Sequence, residues 1–325
     1  MGYTNYPNGL TSFGIPLLGS GIIPTSPGKV YFVNYGTGSD GNRGTDISAP
    51  LKTVEYAYSL VTSGNDDIIA LCGSSTHVLT AMLDVTKSRV HFVGIDGTNG
   101  RLYGNNAKIS LSVSTGATNV FTMKNTGVRN SFTNIKFING ATVTEGLHCV
   151  GEGGEYAVYT NCEIYKSTDL DQTTSSELVL NGDSAQFFGC TIGSLADARV
   201  GTVIRPCVRL TAGLVDAGKV TRDCIFTDCL FWIQASHTTS TFVYAANATD
   251  VERMLLFKRC GFINNLASSA TPAQAIAGAA TLTVGNIILD PECFATKVTK
   301  VSTTTGVLVS GAAPNSGTGI SVNAA

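Results

Sequence analysis

The sequence predicts an all-β protein, a single-stranded right-handed parallel β-helix in which short strands stack coil upon coil as a solenoid. Three observations lead to this fold class. A six-residue pattern recurs along the chain. Within each copy apolar and polar residues alternate, as they do in a strand that buries one face. The copies recur at intervals of roughly 20 to 50 residues, the range that indicates a solenoid.

Length and composition agree with a solenoid. The chain has 325 residues, of which 43% are hydrophobic and 14% are charged. A chain of this length exceeds what one globular core usually serves, whereas each coil of a solenoid packs only on its neighbours. The high hydrophobic content also excludes a disordered chain.

The repeated pattern is an aromatic residue, two polar or small residues, Cys or Ile, any residue and a large apolar residue. Its clear copies begin at Phe132, Tyr159, Phe187, Phe226 and Phe257, and a degraded copy surrounds Cys293. Successive fourth positions are 27, 28, 39 and 31 residues apart. Stacking would align these fourth positions in one inner column, namely Ile135, Cys162, Cys190, Cys229 and Cys260. It would align the sixth positions in a second column, namely Phe137, Ile164, Ile192, Phe231 and Phe262. A β-sandwich is the alternative, which we disfavour because sandwich strands do not repeat their residue types in register.

A second family of apolar segments runs between these copies. It comprises residues 147–150, 178–180, 208–210, 242–244 and 287–289. Val150, Leu180 and Leu210 follow one another at steps of 30 residues. Two strand families with the same spacing predict at least two sheets in each coil.

The chain divides into three predicted segments: an extended N-terminal arm over 1–27, the β-helix over 28–295 and a β-rich C-terminal cap or tail over 296–325. The arm contains four Pro and five Gly, which disfavours a helix, yet it is too apolar for a free tail. We expect its apolar side chains to bind a partner, and packing on the chain's own β-helix is the alternative. The partner-binding candidates are Leu10, Phe13, Ile15, Leu17, Leu18, Ile22 and Ile23.

The two ends of the solenoid also have signatures. A buried strand over 30–33 is followed by a short helix that starts within 49–57 and is expected to cap the open end. The next strand ends at Leu71. Near the C-terminus, alternating residues over 298–311 predict a hairpin or an edge strand.

Several classes of function are disfavoured by the residues themselves. The formal net charge is −2 without a basic stripe, so we expect no nucleic-acid partner. No apolar run spans a bilayer and no secretory signal is visible, so we expect no membrane partner and synthesis in a cytoplasm. The nine cysteines form no CxxC pair and the four histidines show no metal-ligand spacing. We therefore predict free thiols and neither a metal site nor a cofactor.

No catalytic residue is predicted either. A glycosidase needs two carboxylates at a set separation. The available acids include Asp183, Asp197, Asp216, Asp223 and Asp228. We expect Asp223 and Asp228 at turns or on solvated faces, and Gly182-Asp183-Ser184 indicates a turn. Trp232 follows Phe231 and should face outward if Phe231 faces the core. We expect Trp232 to pack in the core or under a loop, and an exposed Trp that marks a sugar-binding or protein contact is the alternative.

The segment VYFV…GSDGNRGTDISAPLKTVEYA…NDDIIALCGSSTH, within residues 30–77, resembles the opening of right-handed β-helix proteins of the pectate-lyase-like superfamily. Asp67 matches an Asp that commonly follows Gly there, and Asp66 replaces that Gly. Arg205 and Arg209 match a pectate-lyase motif only in part, because one residue is missing between the first Arg and Pro206. The resemblance therefore implies the fold and leaves the function open.

The arm, MGYTNYPNGLTSFGIPLLGSGIIPTSPGKVYFV, resembles the start of tailed-bacteriophage virion proteins that carry this β-helix. This resemblance implies a capsid decoration or cement protein, not an enzyme, on the capsid surface of a virion and made in the host bacterial cytoplasm. The implied partner is the major capsid protein of the same phage, and a homo-oligomer, first of all a homotrimer, is expected. The alternatives are a tailspike-like or head-fibre protein that binds host surface polysaccharide, and a polysaccharide lyase or hydrolase.

Overall fold

The structure is a computed structural model that describes residues 11–12, 15–16, 28–73, 75–95, 107–111, 121–140, 147–167, 175–199, 204–235, 237–265, 271–310 and 319–320. In chain order the first elements are β1 (Thr11–Ser12), β2 (Ile15–Pro16), β3 (Val30–Val33), α1 (Val54–Leu60), β4 (Asp67–Leu71), β5 (Thr76–Leu79), β6 (Leu83–Val85), β7 (Val90–Gly94), β8 (Ala107–Leu111) and β9 (Phe121–Asn125). The next are β10 (Ser131–Thr133), β11 (Ile135–Asn139), β12 (His148–Glu152), β13 (Val158–Thr160), β14 (Glu163–Lys166), β15 (Ser176–Leu180), β16 (Gln186–Phe188), β17 (Thr191–Arg199), β18 (Val208–Leu210) and β19 (Thr221–Thr227). The last are β20 (Leu230–Ala235), β21 (Val243–Ala245), β22 (Val251–Lys258), β23 (Gly261–Asn264), β24 (Ile276–Gly278), β25 (Asn286–Leu289), β26 (Phe294–Thr296), β27 (Val307–Ser310) and β28 (Gly319–Ile320).

Three parallel sheets wind around one core. Among the described residues, sheet 1 has eleven strands, in the order β28-β27-β25-β22-β19-β16-β13-β10-β7-β4-β3. Sheet 2 has eight, in the order β26-β23-β20-β17-β14-β11-β8-β5, and sheet 3 has seven, in the order β24-β21-β18-β15-β12-β9-β6. Each complete coil adds one strand to each sheet in turn. The predicted all-β parallel β-helix is confirmed.

The aromatic position of the repeat forms a stack inside sheet 1. The rings of Phe92, Phe132, Tyr159, Phe187, Phe226 and Phe257 follow one another at centroid distances of 5.2, 4.7, 4.6, 4.4 and 5.1 Å. Neighbouring ring planes differ by 18° or less, and all six side chains are fully buried. Stacked rings at this separation gain more than their buried area alone supplies. The stack therefore selects aromatic residues at this position of the six coils from β7 to β22.

The predicted inner column of fourth positions is confirmed, and it lies beside the aromatic stack at the corner between sheets 1 and 2. Each copy of the repeat therefore spans two strands in two sheets, such as β10 and β11, and not the single strand that the alternation predicted. The thiol of Cys190 lies 3.5 Å from the carbonyl oxygens of both Tyr159 and Phe188, and Cys229 repeats this arrangement one coil later. All nine cysteines are free thiols, again as predicted. Burial raises the pKa of the Cys190 thiol, so these groups stay protonated and act as small apolar side chains.

A one-residue turn joins sheet 1 to sheet 2 within the repeat. The turn residues adopt left-handed backbone angles, with φ of 61° at Asn134, 51° at Asn161, 61° at Gly189 and 55° at Asp228. Asn, Asp and Gly tolerate this conformation best. This requirement explains the small or polar residue immediately before the Cys in the repeat.

Two predictions about the second strand family are wrong. Residues 287–289 lie in β25 of sheet 1, paired with β22, and not in sheet 3. Val150 pairs with Leu178, whereas Leu180 pairs with Glu152. The inward side chains set this register, and Glu152 occupies an inner position that the sequence would assign to an apolar residue. A coil has three sheets, where the sequence predicted at least two.

The predicted capping helix is α1, which begins after its N-cap, Thr53. The Thr53 side chain accepts a hydrogen bond from the Tyr56 amide, and Val54 and Ala57 are buried against the first coils. At the other end, β27 pairs with β25 in parallel, so the predicted hairpin or edge strand is a parallel strand of sheet 1.

The arm candidates Leu10, Phe13, Leu17, Leu18, Ile22 and Ile23 lie outside the described residues. Ile15 belongs to β2, which pairs with β1 in antiparallel register. Partner binding by the arm stays a prediction.

Candidate functional site

Sheet 2 presents an aromatic and apolar outer surface. Along β11, β14, β20 and β23 the side chains alternate, so Phe137, Ile164, Phe231 and Phe262 point inward and are fully buried. The residues that follow them face outward and are partly exposed, and these are Ile138, Tyr165, Trp232 and Ile263. The predicted outward direction of Trp232 agrees with this alternation.

Tyr165 and Trp232 lie two strands apart in this outer column. The strand between them carries Gly193, which pairs with Trp232. Because neighbouring strands are about 4.8 Å apart, the two aromatic residues are separated by about 10 Å along the helix axis. Two rings at this spacing on one face can both contact one extended chain.

A charged pair lies next to Tyr165 on the same surface. Lys136 and Glu163 are register partners on neighbouring strands, and the Lys136 Nζ is 2.8 Å from the Glu163 Oε2. The same Nζ lies 4.8 Å from the centroid of the Tyr165 ring. Both charged side chains are more than four-fifths buried, so their positions are fixed beside the ring.

A third aromatic side chain extends this surface toward the C-terminal coils. Phe294 is 50% exposed, and its strand pairs with that of Gly261. A Cβ atom at Gly261 would lie 2.6 Å from the Phe294 Cζ, so the ring rests on the glycine backbone. We call the outer surface formed by Ile138, Tyr165, Trp232, Ile263 and Phe294, together with Lys136 and Glu163, the aromatic face.

A cluster of charged side chains is buried where sheet 2 leads into sheet 3. Arg205 lies 3.9 Å from the Glu177 carboxylate, and Arg209 donates a 3.0 Å hydrogen bond to the carbonyl of Ile204. Arg205 and Arg209 are only 2% and 6% exposed, so neither lines an open groove in the way a partial lyase motif would require. Burial also lowers the pKa of Lys166, within the same cluster, to about 8.

Three of the five candidate acids pair with arginines of neighbouring coils. Asp183 accepts a 2.9 Å hydrogen bond from Arg222, Asp223 forms an ion pair with Arg253, and Asp228 forms one with Arg259 at 2.8 Å. Asp228 lies in the left-handed turn before β20, as predicted, whereas Asp223 lies within β19, at a left-handed residue where the register shifts. The loop after β18 contains Asp216, and the side chain of Asp197 lies outside the described part of the structure.

The histidines occupy different environments. His77 is buried, with its Nε2 2.8 Å from the carbonyl oxygen of Cys72. Burial lowers the pKa of His148 to about 3, aided by the positive charges of Arg209 and Lys166. In the part of the chain that the structure describes, no group of three or more His, Cys, Asp or Glu side chains is arranged to hold a metal ion.

One histidine arrangement leaves no signal in the sequence. His91 on sheet 1 contacts both Ser131 and Asp66. These three residues lie on different coils, and only the strand register shows that they are neighbours.

Comparisons with known proteins identify the fold. No family model matches the chain, and no curated protein matches it. A solved pectin methylesterase in complex with a hexasaccharide superposes with a TM-score of 0.56 at 11% identity, covering 90% of this chain and 93% of that one. The pectin methylesterase from Aspergillus niger gives a TM-score of 0.53 at 12% identity over 88% and 84% of the two chains. The carrot enzyme gives 0.52 at 14% identity over 92% and 84%.

These similarities correct one prediction. The sequence analysis predicted that the chain is not an enzyme, and this is contradicted because the matching solved structures are enzymes, pectin methylesterases. At 11 to 14% identity the similarity itself establishes the parallel β-helix. The resemblance to β-helix proteins of the pectate-lyase type is thus confirmed at the level of the fold, and no comparison supports the bacteriophage part. Within the described residues, no helix is long and apolar enough to cross a membrane.

Proposed function

We propose that this protein binds a polysaccharide along the aromatic face of sheet 2. The observation that carries the proposal is the column in which Tyr165 and Trp232 present partly exposed rings about 10 Å apart, along the axis of the β-helix. An extended glycan running along this axis would pass over both rings.

The chemistry of the face suits a sugar chain. Sugar rings have apolar C–H faces that pack on aromatic side chains, and their hydroxyl groups need hydrogen-bonding partners at the rim. Lys136 and Glu163 supply a donor and an acceptor beside Tyr165. One of the similar solved structures, a pectin methylesterase, holds a hexasaccharide, which supports a glycan ligand for this fold.

The single tryptophan makes the proposal directly testable. Because Trp232 is the only Trp, the intrinsic tryptophan fluorescence of the full chain reports on the aromatic face alone. The full chain is titrated with polygalacturonate, methyl-esterified pectin and a neutral glucan. We expect one of them to shift the emission and to protect Trp232 from quenching by acrylamide.

Variants then locate the site. Tyr165→Ala should weaken binding at least tenfold, which corresponds to about 1.4 kcal/mol, as expected for an aromatic residue at the centre of a contact. Phe188→Ala is the matched control, since Phe188 is an exposed aromatic residue on sheet 1. Equal affinity of the Tyr165→Ala variant and the wild type, or a loss of affinity that Phe188→Ala reproduces, would refute the proposal. So would the absence of binding to every polysaccharide tested.

The predicted decoration of a bacteriophage head is a separate proposal. It depends on the arm over 1–27 and on a shell partner, and the contacts of the described β-helix give no information on either. The copy number of the protein in purified particles, relative to the major shell protein, tests it. A number close to that of the shell subunit supports decoration, and absence from the particle contradicts it.

A further inference from the structure

A chain of three polar side chains crosses the outer face of sheet 1. His91 and Ser131 are register partners on β7 and β10, and both face outward. The His91 Nδ1 is 2.8 Å from the Ser131 Oγ, and the His91 Nε2 is 3.3 Å from the Asp66 Oδ1. Asp66 lies in the turn that leads into β4, so three successive coils each contribute one group.

The order of these groups is that of an activated nucleophile. A serine hydroxyl becomes nucleophilic when an imidazole accepts its proton, and a carboxylate on the other ring nitrogen orients the imidazole and stabilises its charged form. Asp66 can fill this role because its hydrogen bonds with Arg89 and His91 lower its pKa and keep it ionised. About a fifth of the His91 and Asp66 side chains is exposed, so a small substrate can reach the site from solvent.

A second His–Ser pair, His148 and Ser176, lacks the features of this site. His148 Nδ1 and Ser176 Oγ are also 2.8 Å apart. Both residues are fully buried, and the charges that act on His148 are the cations Arg209 and Lys166, which disfavour an imidazolium. The accessible pair with a carboxylate behind it is the pair on sheet 1.

We propose that Asp66, His91 and Ser131 form a hydrolytic site for carboxylic esters, with Ser131 as the nucleophile. The Ser131 Oγ attacks the ester carbonyl while its proton passes to the His91 Nδ1. The carbon–oxygen bond to the alcohol breaks, and the alcohol leaves with that proton, so Ser131 is acylated. Water then attacks the acyl group, His91 takes a proton from the water and returns it to Ser131, and the free acid leaves. Water is the only co-reactant.

Two exposed side chains next to the site indicate the kind of ester. Arg129 precedes Ser131 by two residues, and its guanidinium carbon lies 5.8 Å from the centroid of the Tyr156 ring. Tyr156 is 50% exposed. A cation beside an exposed ring favours an ester that carries negative charge and an apolar surface, such as an acylated acidic sugar. This inference does not depend on glycan binding at the aromatic face, which lies on another sheet.

The test uses the full chain with a fluorophosphonate probe, which phosphonylates activated serines, and with p-nitrophenyl acetate as substrate. We expect one adduct, which peptide mass spectrometry places on Ser131. Ser131→Ala should abolish both labelling and esterase activity, and His91→Gln should slow both at least 100-fold, the usual contribution of a general base. Asp66→Asn should slow both at least tenfold.

Thr133→Ala is the matched control, because Thr133 lies on the same strand and the same face as Ser131. It should leave labelling and hydrolysis unchanged. Adduct mapping on the wild type needs no variant, so it decides the question even if a substitution impairs folding. No adduct, an adduct on another residue, or labelling that does not depend on His91 would overturn the proposal.

Discussion

Glu152 places a carboxyl group in the interior of the β-helix, and its ionisation should control stability between pH 4.5 and 8. The side chain is fully buried in sheet 3, between Asn125 and Leu180 in the inner column. Its Oε2 accepts hydrogen bonds from the Tyr159 hydroxyl at 2.6 Å and the Asn125 amide at 2.8 Å, and its Oε1 accepts one from the Gly154 amide at 2.7 Å. These bonds favour the carboxylate, but burial outweighs them and raises the pKa of Glu152 to about 7.

The size and sign of the effect follow from the two protonation equilibria. In the unfolded chain the pKa of Glu152 is 4.5, and in the folded chain it is about 7. This difference corresponds to about 3 kcal/mol of unfolding free energy. Because the folded state holds the proton more tightly, the stabilisation is complete below pH 4.5 and is lost as the pH rises through 7.

The wild-type pH profile alone does not isolate this effect, because His148 acts in the opposite direction. Its pKa is lowered to about 3, so its contribution to stability is lost as the pH falls below 6.5. The informative quantity is the difference in unfolding free energy between the wild type and Glu152→Gln, measured by urea denaturation at pH 4.5 and pH 8. In the variant, the NH₂ group of the introduced amide faces another hydrogen-bond donor of the network. This lowers the unfolding free energy by an amount that does not vary with pH.

We expect the difference in unfolding free energy between the wild type and Glu152→Gln to change by about 3 kcal/mol between the two pH values, because only the wild type is destabilised by this ionisation at pH 8. A difference that is the same at pH 4.5 and pH 8 would refute the reasoning. It would mean that the three hydrogen bonds fully offset the burial of the charge.

Three further predictions concern the interior. His148→Gln should remove the loss of stability on acidification, which is worth about 3 kcal/mol at pH 4, and urea denaturation between pH 4 and 7 measures it. Phe187→Ala should lower the unfolding free energy by about 3 to 5 kcal/mol, because it opens a cavity in the aromatic stack. Phe188→Ala should change the unfolding free energy by less than about 0.5 kcal/mol. Similar losses for the two variants would contradict the stabilising role of the stack. In a thiol titration of the native chain with Ellman's reagent, the partly exposed Cys72 should react quickly. Cys293 should react more slowly, because its contact with Cys260 and its burial raise the pKa of its thiol. The buried thiols should react only on unfolding, so fast reaction of all nine would be inconsistent with this core.

The inner columns were predictable because the chain repeats its residue types. The copies that begin at Phe132 and Phe257 differ in almost every outward residue, yet they keep the aromatic residue and the Ile or Cys, and their turn residues, Asn134 and Arg259, share the left-handed conformation. The aromatic position stacks on its neighbours, the turn position is left-handed, and the Ile or Cys packs closely at a corner. A structural role that every coil shares leaves a periodic signal.

The third sheet and its register were not predictable in the same way. The strands of sheet 3 share only an aliphatic residue or Met in one inner column, without the aromatic residue or Cys of the repeat, and Glu152 occupies an inner position that alternation alone assigns to an apolar side chain. Hydrogen bonds from Tyr159, Asn125 and Gly154 make that position tolerable, and these partners come from other strands and turns. A polar residue that is satisfied from outside its own strand looks like a surface residue in the sequence.

The candidate sites escaped the sequence for a related reason. Trp232 could be oriented from its neighbour Phe231, but its association with Tyr165 required knowing that one glycine-bearing strand separates them. Asp66, His91 and Ser131 lie 25 and 40 residues apart and share no local motif. The prediction that the chain is not an enzyme rested on the absence of known local motifs, which is weak evidence in a solenoid.

In a β-helix, the side chains of a functional site come from successive coils and not from one strand. Neighbouring strands are held about 4.8 Å apart, so outward side chains in one column meet at a fixed spacing however many residues the intervening loops contain. The 39-residue step before Cys229 therefore leaves Gly193 and Trp232 paired on the same face. Loops can thus change length without disturbing a column, and a column can gain a nucleophile or a sugar-binding ring by a single substitution. Active and binding groups in such a chain should accordingly be sought by column, with the register established first.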